Sequence, residues 1–291
     1  MNNWETKFNY LPSQEEENNP EKKLETFVKE MSEKISAEYN IPILANGRIN
    51  FEEFKDIYSE SIIEEDKKFL DELENKFKNE KLKFEKEASL NLKKSPDQIE
   101  EIEEEDLSFK PSEKLEMFKF AIFNKFLSKK GITLRSSRYD DVKNGFDNLI
   151  LEKESGNVIC ALDEICNIKG PYYEEKVKKF LEKNKIQEGA KIKYGLKFQK
   201  EKEKFLIKKC QLQNVPLFYI SLPQESLEKG TKTFIPNLEE YADYEKKIMK
   251  YFISSLMYQI RRLELEPKLS PKINENIIKF KRFLKEIEKT F

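Results

Sequence analysis

The sequence of 291 residues contains no histidine. Histidine is the usual base of serine and cysteine hydrolases and a common zinc ligand, so its absence excludes those classes of site. The three cysteines, Cys160, Cys166 and Cys210, form no CxxC pair, which argues against a zinc knuckle or a disulfide framework. Any chemistry therefore depends on carboxylates, lysines or tyrosines.

Long apolar runs are also missing. No stretch approaches the ~18 consecutive apolar residues that a membrane span requires, and the first ten residues lack the apolar core of a signal peptide. Charged residues make up 37% of the chain, and the mean hydropathy is -0.77. We therefore expect a cytoplasmic protein in a reducing compartment, without a membrane partner.

Charge is distributed unevenly along the chain, although the net charge is only -1. Residues 1–110 carry 17 basic and 29 acidic side chains, whereas residues 111–291 carry 37 basic and 26 acidic ones. Clustered cations favour binding to a nucleic-acid backbone, so the basic C-terminal half is the predicted nucleic-acid surface. The alternative is that long solvated helices simply differ in charge. The opposite signs would also let the acidic part dock on the basic part and compete with nucleic acid.

Turn residues, charge runs and apolar spacing predict five segments along the chain. In order, they are a flexible N-terminus (1–20), an acidic helical region (21–95), an acidic linker (96–110), an α/β core (111–236) and C-terminal helices (237–291). Within the second segment, the helical spacing of apolar residues over 51–92 predicts a long amphipathic helix, or two helices in a hairpin. Its narrow apolar stripe is typical of a coiled-coil seam, which would pack against another helix of the chain, a partner helix or a second copy.

The core segment has the order helix, strand, strand, strand, helix, strand between residues 112 and 222. This order predicts an α+β or α/β fold with a mixed sheet. The strand at 158–162 is apolar on both faces, as expected in a sheet interior. The lysine-rich stretch from 185 to 211 is predicted to be helical or irregular.

Acidic residues lie at the ends of two neighbouring predicted strands. Asp147 opens one strand, and Asp163 and Glu164 close the next, so an antiparallel hairpin places them at one sheet edge. Clustered carboxylates repel one another, and a hard divalent cation is a common reason that such a cluster is tolerated. The alternatives are that Asp147 caps a turn and that Asp163 and Glu164 form the polar end of a buried strand.

The segment 135–147, followed by a strand, a turn and Ala161-Leu162-Asp163, resembles the restriction-endonuclease-like PD-(D/E)XK superfamily over residues 112–222. The resemblance implies a metal-dependent nuclease in which Asp147 and Asp163 bind Mg²⁺ or Mn²⁺, with Glu164 or Glu116 completing the site. The superfamily's lysine is missing two residues after Asp163, where Ile165 stands. Lys169 or Lys176 would then supply the amine.

Four basic residues are the predicted contacts to nucleic acid: Arg135, Arg138, Lys193 and Lys197. The alternative for the two arginines is a local ion-pair network with Asp140 and Asp141. For the lysines, it is an ordinary solvated helix face.

Three functions remain open from the sequence. The first is a divalent-metal-dependent nuclease. The second is a catalytically inactive nucleic-acid-binding module, favoured by the missing lysine. The third is a helical scaffold or assembly protein that uses the 51–92 stripe and the predicted helix at 238–265, and catalyses nothing.

Overall fold

The computed structural model describes residues 19–92, 111–165, 171–201, 204–266 and 269–290. The helices are α1 (Pro20–Tyr39), α2 (Glu60–Leu92), α3 (Pro111–Leu127), α4 (Pro171–Lys185), α5 (Gln224–Lys232), α6 (Asp243–Glu264) and α7 (Pro271–Glu288). The strands are β1 (Gly131–Arg135), β2 (Asn148–Glu152), β3 (Val158–Ile165), β4 (Ala190–Glu201), β5 (Lys204–Val215) and β6 (Leu217–Ser221). Across these described ranges, every helix is too short or too polar to cross a membrane.

A four-stranded mixed sheet forms the centre of the molecule, in the order β1-β2-β3-β6. The first three strands are antiparallel neighbours, and β6 joins β3 in parallel after the long connection through α4, β4 and β5. Helix α3 packs on β1, α7 on β3, and α4 and α6 on β6. This arrangement confirms the expectation of an α+β fold with a mixed sheet.

Helix α3 is the most buried helix around this sheet. Residues 117 to 127 are all buried, so α3 is enclosed on every side rather than amphipathic. Helix α1 packs against it, and Leu24, Phe27 and Ile35 join the same hydrophobic cluster as α3 and the sheet. The acidic N-terminal segment thus contributes to the main core, while the predicted linker at 96–110 lies outside the described residues.

The lysine-rich stretch after α4 forms an antiparallel two-stranded hairpin, β4–β5, so the helical or irregular interpretation was wrong. Ile192, Tyr194 and Leu196 are buried, whereas Lys191 and Lys197 are exposed. This alternation has the two-residue period of a strand with one face on the core. The many lysines on the other face obscured that period in the sequence.

The long acidic helix begins later than the sequence indicated, at Glu60 rather than at Phe51. Residues 51–59 instead form a short 3₁₀ turn and loop, in which Phe54 is fully buried with its ring 5.2 Å from that of Tyr194. Further along α2, Phe77 is 58% exposed and Leu82 is 48% exposed. A partner for this stripe stays a prediction.

A buried ion pair fastens the C-terminal helices to α3. Lys125 Nζ lies 2.7 Å from Glu245 Oε2, and both side chains are fully buried. Glu245 also accepts hydrogen bonds from the backbone N–H groups of Ile235 and Ala242. Lys125 donates to the Ile235 carbonyl. Both charges are therefore well compensated, as buried charges must be.

We expect Glu245→Ala to destabilise the protein by about 3 to 5 kcal/mol, because it leaves the Lys125 ammonium buried without its partner. Urea unfolding followed by circular dichroism measures this loss. Glu286→Ala, which removes an exposed ion pair with Lys130, is the matched control and should change stability far less. Equal losses in the two variants would contradict the assigned role of the buried pair.

Candidate metal centre

Three carboxylates from separate parts of the core converge at one edge of the sheet. Glu116 comes from α3, Asp147 from the residue before β2, and Glu164 from the end of β3. One carboxylate oxygen of each lies within 4.8 Å of the others. Asp147 and Glu164 are buried, and the Glu116 side chain is 12% exposed. We call this group the carboxylate cluster.

The backbone around Asp147 is fixed by the segment that precedes it. A single π-helical turn, Asp140–Asn144, ends at Gly145, whose φ of +68° lies in the left-handed region that favours glycine. Asp147 then pairs with β3 through its N–H, which donates to the Leu162 carbonyl at 2.7 Å. Its Oδ2 accepts a hydrogen bond of 2.8 Å from the Glu164 N–H, which ties the two acids together directly.

The turn itself is held by a buried aspartate. Asp140 accepts hydrogen bonds from the backbone N–H groups of Lys193 and Tyr194 and from the side chains of Ser137 and Asn144. These bonds attach the turn to the β4–β5 hairpin. The position of Asp147 therefore depends on a contact between segments about 50 residues apart in the chain.

Three cations surround the carboxylate cluster. Lys119, fully buried on α3, forms an ion pair with Glu164 that lacks the geometry of a directed hydrogen bond. Arg48 and Arg135 both contact Glu116. Within the described residues, no lysine or arginine nitrogen lies within 4.0 Å of the Asp147 carboxylate. Its charge is therefore the least compensated of the three carboxylates.

Burial dominates the electrostatics of these acids. It raises the pKa of Asp147, although the Lys119 charge acts in the opposite direction. It raises the pKa of Glu164 well above the usual range, and the Asp147 charge adds to the rise. Burial also raises the pKa of Asp141, which lies 2.9 Å from Arg48, to about 6. The ionised cluster is thus costly without a further positive charge.

A neighbouring amide supports the presence of a ligand. Asn148 follows Asp147, and its register partners are Arg135 and Leu162, which places it on the sheet face of Arg135 and Glu164. Its side chain is fully buried, yet within the described chain neither its Oδ1 nor its Nδ2 has a hydrogen-bond partner. Buried polar atoms are rarely left without partners, so this amide fits a site that holds a ligand or ordered water.

Among the predicted catalytic and metal-binding residues, the structure unites Asp147, Glu164 and Glu116 but not Asp163. Successive side chains of a strand point to opposite faces, so Asp163 faces α4, where its Oδ2 lies 2.7 Å from Lys176 Nζ. Glu164 therefore replaces Asp163 as the acid from β3. Lys176 lies on the far face of the sheet with Asp163, and Lys169 falls outside the described residues.

The four residues predicted to contact nucleic acid differ in their exposure and in their ion-pair partners. Arg135 is buried and paired with Glu116, so it is no surface contact. Lys193 pairs with Asp66 at 2.5 Å and lies over the rings of Tyr58, Tyr139 and Tyr194. Arg138 is 46% exposed and pairs with Asp141 at 3.3 Å, while Lys197 is exposed on the hairpin.

Several contacts join the acidic and basic parts of the chain. They are the ion pairs Glu21–Lys114, Asp56–Lys209, Asp66–Lys193 and Glu74–Arg138. Two of these four involve cations that the sequence assigned to nucleic acid. Acidic residues of the N-terminal part thus form ion pairs with some of the basic residues of the C-terminal part.

Sequence reasoning missed Lys119 and Arg48. Lys119 lies three residues after Glu116 on α3, a spacing that places both side chains on one helix face. That spacing was the available signal, but α3 is apolar around most of its circumference, so the sequence does not show which neighbour a lysine on it would contact. Arg48 gave no signal, because its role depends on a turn at Gly47 that brings the loop against β1.

Comparison of the chain with protein-family models, with curated proteins and with solved structures finds no match.

We expect the raised pKa of Asp141 to make the wild type lose stability relative to Asp141→Asn as the pH rises from about 4 to about 6. The folded state holds a proton there that the unfolded chain releases near its ordinary pKa, so the penalty is absent below pH 4 and complete above pH 7. The full difference is about 3 kcal/mol at most.

Urea unfolding at pH 4, 5, 6 and 7 in EDTA measures this difference. Asp71→Asn is the matched control, since it removes the same charge at an exposed position of α2. If the difference between Asp141→Asn and wild type does not change with pH, the assignment is contradicted.

Proposed function

We propose that this protein is a divalent-metal-dependent nuclease whose metal centre is the carboxylate cluster. The observation that carries the proposal is the convergence of Glu116, Asp147 and Glu164 within 4.8 Å, with Lys119 against Glu164. Carboxylates from a helix and two adjacent strands, together with an amine, are the groups that metal-assisted phosphodiester hydrolysis needs.

The order of elements supports the same proposal. Helix α3, strands β1 to β3, helix α4 and strand β6 follow the order predicted for the region that resembles the PD-(D/E)XK superfamily, with the β4–β5 hairpin between α4 and β6. Asp147 stands before the second strand, where that resemblance expects the first acid. The second acid of the cluster is Glu164, one residue after the Asp163 that the resemblance implied. The amine comes from Lys119 on α3 rather than from Lys169 or Lys176.

The residues present fit a hard cation. The donors are carboxylate oxygens, which Mg²⁺ and Mn²⁺ prefer, and the buried acids have raised pKa values that a positive charge would lower again. Glu116, Asp147 and Glu164 would hold the ion. When bound, such an ion stabilises negative charge on a phosphate oxygen and lowers the pKa of a bound water.

The other side chains position these groups. Arg48 and Arg135 hold Glu116 from two sides, and the Glu164 N–H holds Asp147. Lys119 places a fixed positive charge beside Glu164. In the proposed reaction this buried charge would act through space and stabilise the negative charge that develops on the phosphate.

The second candidate function is nucleic-acid binding without catalysis. The observation that favours it is the internal compensation of the cluster, in which Lys119 pairs with Glu164 and two arginines pair with Glu116. Buried acids compensated in this way also occur as structural ion-pair networks. Metal binding separates the two functions.

We expect Asp147→Asn and Glu164→Gln each to weaken Mn²⁺ binding by about 100-fold or more, because each removes a charged ligand. Titration calorimetry measures binding, and cleavage of plasmid and single-stranded DNA is assayed in parallel. Asp163→Asn is the matched control, since it removes the adjacent acid on the opposite sheet face. If Asp163→Asn abolishes binding and Glu164→Gln does not, the assignment fails.

Lys119→Met should reduce the cleavage rate by about 100-fold or more while Mn²⁺ still binds, because the amine acts on the phosphate and not as a metal ligand. Lys119→Arg should restore part of the rate if a positive charge is what matters. If the wild-type protein binds no Mn²⁺ and cleaves neither DNA substrate, nucleic-acid binding without catalysis remains as the candidate function.

A further inference from the structure

A small cavity lies on the opposite side of β3 from the carboxylate cluster. Its volume is about 160 Å³, and Ile165, Phe180, Phe218 and Tyr219 contribute apolar and aromatic surface to its lining. Gly145 and Asp163 also line it, and these residues stand two positions before Asp147 and one before Glu164. The cavity therefore adjoins the sheet edge that carries the proposed metal centre.

Three lysines of helix α4 line this cavity: Lys176, Lys179 and Lys183. Their spacing of three and four residues places them on one face of the helix. Asp163 is the carboxylate that lines the cavity with them, at 2.7 Å from Lys176 Nζ. Lys179 also pairs with Glu175 at 2.7 Å on the exposed surface of α4.

The innermost lysine is the least compensated of the three. Lys183 donates a hydrogen bond to the carbonyl of Asn144, and among its described contacts no carboxylate lies within ion-pair distance. Burial lowers its pKa, and the charges of Lys176 and Lys179 lower it further, whereas Asp163 opposes them. Three ammonium groups thus repel one another around a space that an anion would stabilise.

We propose that this cavity is a phosphate-binding subsite for a nucleic-acid strand that passes the sheet edge. This inference rests on the proposed function, because it names a contact of the same substrate. Lysine ammonium groups bind phosphate as point charges. The phosphate is either internal to the strand or a terminal phosphate.

The test is the affinity of the full chain for single-stranded oligonucleotides in EDTA, measured by fluorescence anisotropy. We expect Lys179→Glu to weaken binding by about three- to tenfold and to lower the salt slope of log K by about one. Lys178→Glu is the matched control, since it makes the same charge change on the same helix at a side chain that is 77% exposed and lines no part of the cavity. It should change affinity less than twofold.

Oligonucleotides with a 5′-phosphate, a 3′-phosphate or neither distinguish the two sources of the phosphate. A Lys179→Glu effect confined to one phosphorylated form indicates a terminal phosphate, and an equal effect on all three indicates an internal one. Either result supports the subsite. Circular dichroism confirms that each variant is folded, and Lys176→Ala provides a second variant in the cavity.

Equal affinities of Lys179→Glu and Lys178→Glu would overturn the subsite, as would a wild type that binds none of the oligonucleotides. Because EDTA removes metal and no cleavage is measured, this result is independent of the metal centre. If the cluster variants lose Mn²⁺ binding and Lys179→Glu does not change oligonucleotide affinity, the nuclease proposal stands without the subsite. If Lys179→Glu weakens oligonucleotide binding in a chain that binds no Mn²⁺, nucleic-acid binding stands without the nuclease proposal.

Discussion

The burial of charge at the edge of the central sheet is the constraint on which the rest of the molecule depends. Glu116, Asp147 and Glu164 leave water when α3 packs on the sheet, and their desolvation must be offset by nearby partners. Arg48 from the N-terminal loop, Arg135 from β1 and Lys119 from α3 supply those partners. The cluster therefore cannot form unless the N-terminal loop, α3 and the sheet are all in place.

The same constraint explains why the acidic N-terminal region is part of the core. Helix α1 covers α3, and the loop after it delivers Arg48 to Glu116. Helix α2 then reaches the hairpin through Asp66, which accepts hydrogen bonds from Lys193 and Tyr194. The hairpin in turn holds Asp140 and the turn before Asp147. Three layers of contacts thus connect the acidic region to the proposed metal centre.

The two faces of β3 carry different sets of charged groups. On the α3 face, Glu164 joins two other carboxylates and would bind a cation. On the α4 face, Asp163 is accompanied by Lys176, Lys179 and Lys183, which would bind an anion. The proposed nuclease must hold a metal ion and a phosphate backbone close together, and the two faces of this strand edge would provide both.

The sequence by itself determined most of the helices, the three strands of the meander and the arrival of Asp147 and Glu164 at one edge. These features depend on local periodicity and on the antiparallel geometry of a hairpin. The hairpin β4–β5 was not predicted, because its lysines obscured the two-residue period of its buried side chains. Likewise, the spacing of Phe51 and Phe54 predicted a helix, but both residues are buried in a turn.

Only the tertiary structure decided which acid of the Asp163-Glu164 pair faces α3, because a shift of one residue reverses every side chain of a strand. It also placed Lys119 rather than Lys176 beside the carboxylate cluster, and it determined which of the basic residues are exposed. Lys119 reaches Glu164 because α3 lies across the sheet, and Arg135 is buried by the same packing. Such contacts join residues far apart in the chain, so spacing along the sequence carries little trace of them.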